Sequence, residues 1–453
     1  MKRPIITLLA TLQFATAAPF KIEVVDRGNG WPVPLVHLTT THNLTFTTDN
    51  AGVVAIDTPE LIGRETWFTV HSDGYQLPAD GFGNRGFRLT PSPGGSAQIK
   101  VTRTIIAKRL GRLTGAGLFA ESQKLGGYPG YKESGISGCD SIQIATHRDK
   151  KYWLWGDSNL PKYPLGIFHM TGATTPLNPL TSFQPPLELD LDYFRDPDGK
   201  PRAVARMPGP GPTWLNGFIS LPDKTGTPHL VATYSKIRNF LEVYELGLCT
   251  WNEASKNFDR SKILWQKSTN NPKPIAPEGH PVLHTDPAGK TWALFADPFP
   301  TLKMPATFEA WQDPAQWQKL EPQPTLESAT DTSSVKPHRG SITYNHYRKK
   351  WLTVFTQIGG TPSPLGELWY AESNHPTGPW GNAVKILSHD NYSFYNPRLH
   401  PGFTPKDSPV LLFEGTYTHT FSNNPTRTPR YDYNQILYRL DLDDPALTPT
   451  HAE

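Results

Sequence analysis

Cysteine is nearly absent: Cys139 and Cys249 are the only two in 453 residues. Two thiols do not make a disulfide framework, so an apolar core must hold the chain, whether the two pair or stay free and buried. Charge is scarce as well. Asp, Glu, Lys and Arg make up 19% of the chain and the formal net charge is +3, which leaves no electrostatic footprint for nucleic acid or a membrane surface. No apolar run beyond the N-terminus approaches the length of a transmembrane helix, so membrane insertion is not expected. His-Glu-x-x-His and paired cysteines at zinc spacing are missing, and "GISG" and "GGSA" do not form a Gly-x-Ser-x-Gly elbow. These absences argue against zinc and serine hydrolases.

Turn formers and aromatics, in contrast, are abundant. The chain has 46 Pro and 37 Gly beside 13 Trp, 17 Tyr and 21 Phe. Disordered chains lack aromatics, so this mixture points to a turn-rich all-β protein. Its length exceeds one ordinary core and implies two domains. Residues 1–18 read as a secretory signal: Lys2 and Arg3, an apolar stretch from Ile5 to Phe14, then Ala15-Thr16-Ala17 at cleavage spacing. The expected location is therefore secreted or periplasmic, and the expected state a monomer.

Residues 19–108 contain "KIEVVD", "WPVPLVHLTT", "LTFTTDNAGVVAID" and "WFTVHSDGY", short β runs bounded by turn residues. Thr48-Asp49-Asn50-Ala51-Gly52 reads as a tight hairpin turn. With Trp31-Pro32-Val33-Pro34 and Ser72-Asp73-Gly74-Tyr75, it makes the segment resemble the carboxypeptidase regulatory-like (transthyretin-like) β-sandwich. That resemblance implies an accessory domain. Residues 109–138 read as a glycine-rich connector. Its Gly115-x-Gly117-x-x-Ala120 matches part of a dinucleotide fingerprint, but no βαβ unit surrounds it.

From Cys139 onward one ten-residue pattern recurs: "KKYWLWGDSN", "TPHLVATYSK", "GKTWALFADP", "KKWLTVFTQI" and "SPVLLFEGTY". After the first interval, successive copies begin 62, 60 and 59 residues apart. Each follows a shorter run and a turn, which makes five hairpins, and most are followed by a further strand such as "GELWYAES" or "QILYRLDL". A period near sixty with about four strands per unit marks a β-propeller. The expectation is all-β: a small N-terminal β-sandwich plus a five-bladed β-propeller over 139–443, with 444–453 as a tail.

In such hairpins, the residues before the first run and after the second ring one mouth of the central funnel. That ring holds Asp140 with Asp157, Asn216 with Ser235, and Glu278 and His280 with Asp297. It continues with Arg339 beside Gln357 and Asn396 beside Glu414. Polar residues end many strands because loops face water, but here Asp, Glu, His, Arg and Asn dominate. Tyr431 and Asn434 open the last outer run and reach toward the same rim.

The repeats resemble glycoside hydrolase families 43 and 32, in which an Asp opens the first blade and a Glu followed by Gly opens the third. Asp140 in "CDSIQIATHRD" and Glu278-Gly279 in "EGHPVLHTDPAG" stand at those positions. The resemblance implies a carbohydrate substrate, Asp140 as base or nucleophile and Glu278 as general acid. The family's third carboxylate corresponds to Asn216, so Asp157 or Asp297 must supply that charge, or the reaction differs. Arg339 would keep neighbouring carboxylates ionised. Trp153 and Trp155 offer a stacking platform or, as the more usual reading of strand tryptophans, core. Nothing specifies a metal or other cofactor, although calcium bound by side-chain oxygens is compatible with the funnel. Two rivals use the same ring. A polysaccharide lyase would use Tyr395, Arg398 and His400 with His280 and Arg339, and a non-catalytic propeller would only bind glycan.

Overall fold

The computed structural model describes residues 18–239 and 241–450. All of the expected signal segment except its last residue lies outside them. The architecture is all-β, a β-sandwich followed by a five-bladed propeller. In the sandwich, one sheet runs Val53–Ile56, Phe20–Asp26, Ser96–Arg103, Tyr75–Gln76, and the other Thr45–Thr47, His37–Thr40, Thr66–His71, Gly86–Leu89. Alternation sends Ile22, Val24, Leu38, Val54, Ile56 and Phe68 into one shared core, and all six are fully buried. The expected turn at 48–52 is present. Asp49 Oδ1 accepts from the Ala51 and Val53 amides at 3.0 and 3.3 Å.

Five four-stranded antiparallel sheets follow, the first four in chain order from the axis outward and the fifth completed on its outside by an earlier strand. Their inner hairpins are Gln143–His147 with Lys150–Trp155, Thr213–Pro222 with Pro228–Arg238, and His280–Thr285 with Thr291–Ala296. The fourth and fifth are Pro337–Asn345 with Lys350–Gln357 and Ser393–Leu399 with Val410–Thr418. The expected outer runs are the third strands of the last two blades, Glu367–Ser373 and Asn434–Asp441. Helix among the described residues is confined to short turns such as Ala120–Lys124 and Phe308–Gln312.

The apolar Lys150–Trp155 strand is explained by burial on both faces. Trp153 and Trp155 are fully buried with Leu412 and Leu437 of the fifth blade. Leu154 and Tyr152 pack with Leu215, Phe218 and Tyr234 of the second. The two tryptophans are therefore core and offer no platform to a sugar. Cys139 and Cys249 are free, buried thiols in separate clusters.

The segment read as a connector starts differently from expectation. Lys108–Arg112 is the outermost strand of the fifth blade, antiparallel to Asn434–Asp441 with Tyr438 opposite Arg109 and Ile436 opposite Arg112. Two buried arginines and a register shift between Leu437 and Tyr438 hide the usual alternation. The Arg109 guanidinium reaches the Tyr438 hydroxyl at 3.1 Å, the Pro34 carbonyl at 2.9 Å and Ser72 Oγ at 3.1 Å, and it also donates to the Asp73 carbonyl. This one side chain bolts the sandwich to the propeller. Arg112 donates to the Ala116 and Gly117 carbonyls and to Asn434 Oδ1, and stacks on Tyr431 at 3.4 Å. Tyr431 and Asn434 thus hold the closing strand.

Arg109→Ala strands several buried acceptors, so we expect it to lower the unfolding free energy by about 3 kcal/mol or more. Arg109→Lys should recover little of this, because an ammonium cannot reproduce the guanidinium fork. Urea unfolding of the full chain checks both.

Candidate active site

The first and fifth blades meet around Asp140. Gly138–Cys139 pairs with Ser158–Leu160, and the Cys139 amide donates to the Tyr433 carbonyl at 2.7 Å. The Gly156 amide donates to the Asp140 carbonyl at 2.7 Å, which fixes the backbone of the hairpin tip. A Cβ at Gly156 would lie 2.2 Å from Asp140 Oδ1. The glycine in "WLWGD" is therefore required by the carboxylate that packs against it. Asp140 Oδ2 accepts from the Tyr395 hydroxyl at 2.9 Å. Asn396 Nδ2 donates to Ser141 Oγ at 2.7 Å and tightens the same junction.

Asp157 stands beside this group, with Oδ1 accepting from the Trp214 indole at 2.9 Å. Burial, reinforced by the negative charge of Asp140, pushes its carboxyl up to about 7. Burial also raises Asp140, against hydrogen bonds from Tyr433, Tyr395 and Ser141 that favour its ionised form. Asp157 therefore keeps its proton up to near neutral pH. Both keep part of their surface open to solvent.

A second neighbourhood lies on the third and fourth blades. Asp297 binds the Arg339 guanidinium and accepts the Gly340 amide at 3.0 Å. The Asp297 charge raises Arg339 further, and Glu278 adds to the effect. Glu278 itself is half-exposed and ion-paired to Lys273 at 2.7 Å. Asn216 links the two neighbourhoods. Its Oδ1 accepts from the Gly279 amide at 2.7 Å and the Gly217 amide at 3.0 Å, and faces Gln143 Nε2 at 3.5 Å. An amide oxygen in that position anchors the backbone next to Glu278. Of the two acids offered as the missing third carboxylate, Asp157 meets Asp140, whereas Asp297 is committed to Arg339.

Below the rim lies a sealed polar layer. Glu414 is completely buried and His400 nearly so, with His400 Nε2 3.3 Å from Glu414 Oε1. Arg398, opposite Glu414 in the sheet, donates to the Ile144 carbonyl at 3.3 Å. His280 is buried too, and burial with the charges of Arg398, Arg339 and His400 pulls it well below the usual imidazole range. Gln357 closes its strand opposite Pro337. Of the residues offered for a lyase, only Tyr395 touches the carboxylate pair, and burial raises its hydroxyl well above 10. Among the described residues no three His, Cys, Asp or Glu side chains gather as a metal site.

Sequence reasoning missed the aromatics that do reach this rim. Phe421 is 53% exposed and meets Tyr395 edge-on at 5.6 Å. Phe168 is also exposed, and its carbonyl lies 3.3 Å from the Trp214 indole nitrogen. Phe168 and Phe421 sit in loops outside the repeat, and Trp214 lies ahead of the recurring pattern, so no periodic signal marks them.

No protein-family model and no curated protein matches the chain. Solved structures similar to it include an exo-1,5-alpha-L-arabinanase from a bovine ruminal metagenomic library. That match has 11% identity and a TM-score of 0.38, covering 68% of this chain and 94% of that one. An alpha-L-arabinanase mutant from Cellvibrio cellulosa gives 14% identity and 0.37, covering 68% and 92%. An N-acetylgalactosamine deacetylase from F. plautii in complex with blood group B trisaccharide gives 10% and 0.38, covering 68% and 91%. Values this low leave the chemistry to the site's own geometry.

The raised Asp157 makes folding pH-dependent. The folded chain keeps a proton up to about 7 that the unfolded chain releases near 3.8. Stability should therefore fall as pH rises through that window. Asp157→Asn should make the decline shallower, as read from thermal midpoints measured across it.

Proposed function

We propose that the chain is an exported carbohydrate-active enzyme, a glycoside hydrolase that cleaves a polysaccharide or oligosaccharide at the propeller mouth. The observation that supports this best is the neighbouring Asp140 and Asp157, two partly open carboxyls both raised by burial, beside exposed aromatic rings. Hydrolysis requires one carboxyl to protonate the leaving oxygen and one carboxylate to attack the anomeric carbon or activate water. Asp140, oriented by Tyr395 and by Gly156, is assigned as base or nucleophile. The family resemblance assigns the proton donor to Glu278, which Asn216 positions through the Gly279 amide. The titration of Asp157 near 7 favours a second assignment in which Asp157 is the donor. In either case the glycosidic C–O bond breaks, the donor's proton goes to the departing hydroxyl, and water supplies the new one. Phe421 and Trp214 would present ring faces to the sugar. The order of basic, apolar and small residues at the N-terminus supports export.

Single substitutions separate these roles. Asp140→Asn should abolish turnover of both natural and aryl glycosides while the chain still folds to the same β structure, as read by circular dichroism. The proton donor is whichever of Glu278→Gln and Asp157→Asn spares activated aryl glycosides while losing natural ones, since only poor leaving groups need protonation. If the donor is Asp157, kcat should decline as pH rises through about 7. Gly156→Ala should cost about 100-fold or more in turnover by displacing Asp140. Wild-type activity in Asp140→Asn would reject the assignment, and a product absorbing in the ultraviolet would replace hydrolysis by elimination.

A further inference from the structure

A second concave feature lies beside the carboxylate pair and takes no part in the cleavage described above. A cavity of about 540 Å³ opens between Ala116, Gly117 and Ser137 of the connector, the hairpin around Asn159–Tyr163, and the loop from Arg427 to Asp432. Its volume falls in the range of small-ligand sites, about 300–1,000 Å³. Its position follows from the strand that delivers Asp140. Gly138 pairs with Asn159 on one side, and Cys139 binds the Tyr433 carbonyl on the other. Asn159 is two residues beyond Asp157, about 7 Å of extended chain. A glycan held at Asp140 and Asp157 would therefore place a neighbouring sugar unit at this cavity.

The cavity's charge is one-sided. Lys162, Arg427 and Arg430 line it, with Asp432 as the one acid in its wall. Asp432 is 3.0 Å from His419, and Arg430 is paired at 2.6 Å with buried Glu121. Lys162 and Arg427 are exposed and have no ion-pair partner among the described residues. Tyr163, 63% exposed, adds an aromatic face to the same wall. Two unpaired cations beside an aromatic ring suit a ring-shaped ligand carrying negative charge, and they repel a cation.

We propose that this cavity is a subsite for an anionic sugar, with a uronate carboxylate or a sulfate ester held by Lys162 and Arg427, so that the substrate class is an acidic glycan. The proposal rests on the hydrolase reading for its place along the glycan, but binding does not require turnover. Calorimetry on the full chain with an oligogalacturonate, its neutral methyl ester and a sulfated galactan oligosaccharide tests it. At least one acidic ligand should bind about tenfold or more tightly than the neutral ester, and added salt should weaken that preference. The preferred acidic ligand identifies carboxylate or sulfate as the group recognised. Combined Lys162→Ala and Arg427→Ala should remove the preference and leave the thermal midpoint unchanged, because both side chains are exposed. Equal binding of acidic and neutral ligands, no binding of either acidic ligand, or a preference that survives the double substitution overturns the proposal. Acid-selective binding without cleavage would reject the hydrolase and retain the subsite. Cleavage confined to neutral glycans would do the reverse.

Discussion

The pairing of Lys108–Arg112 with Asn434–Asp441 is the constraint on which the rest of the molecule depends. A propeller is a ring, and its last blade is completed here by a strand that precedes all the others in the chain. Arg109 and Arg112, three positions apart on that strand, turn to different partners. Arg109 clamps carbonyl and hydroxyl groups of the sandwich, and Arg112 clamps the connector, Asn434 and Tyr431. Both guanidiniums are almost fully buried. Their hydrogen bonds offset a desolvation cost that would otherwise open the ring.

Ring closure also creates the electrostatics of the site. Asp140 belongs to the first blade, Tyr395 and Tyr433 to the fifth, and Trp214 to the second. Contact of the first blade with the fifth lets two tyrosines enclose Asp140, and contact with the second brings an indole to Asp157. Removing water from a shared space raises both carboxyls, and the nearness of two negative charges raises Asp157 further. Glu414 and His400, 3.3 Å apart, are sealed from solvent in the fifth blade.

The hairpin repeat was readable because each copy places a strand buried on both faces between two turns, a pattern independent of partners. The positions of strand ends followed from it for Asp140, Asp157 and Glu278, whereas Asn216 lies inside the strand Thr213–Pro222. The direction in which each end group turns did not follow. Glu414, expected at a strand end, lies in the middle of Val410–Thr418, wholly buried opposite Arg398, and Asp297 is taken by Arg339. Phe421 and Phe168 were invisible because rim loops outside the repeat carry no periodicity. Lys108–Arg112 was hidden because buried arginines read as surface.

By itself the sequence determined the all-β class, the five hairpins and the residue types at their tips, since apolar alternation, turn chemistry and a sixty-residue period are properties of neighbouring residues. Which carboxyls are raised by burial, which are spent in ion pairs, and which arginines serve as bolts were decided by tertiary structure alone. Those outcomes depend on burial and on charges brought together across more than 250 positions of chain, as for Tyr395 and Asp140, and desolvation energies exist only once that space has closed.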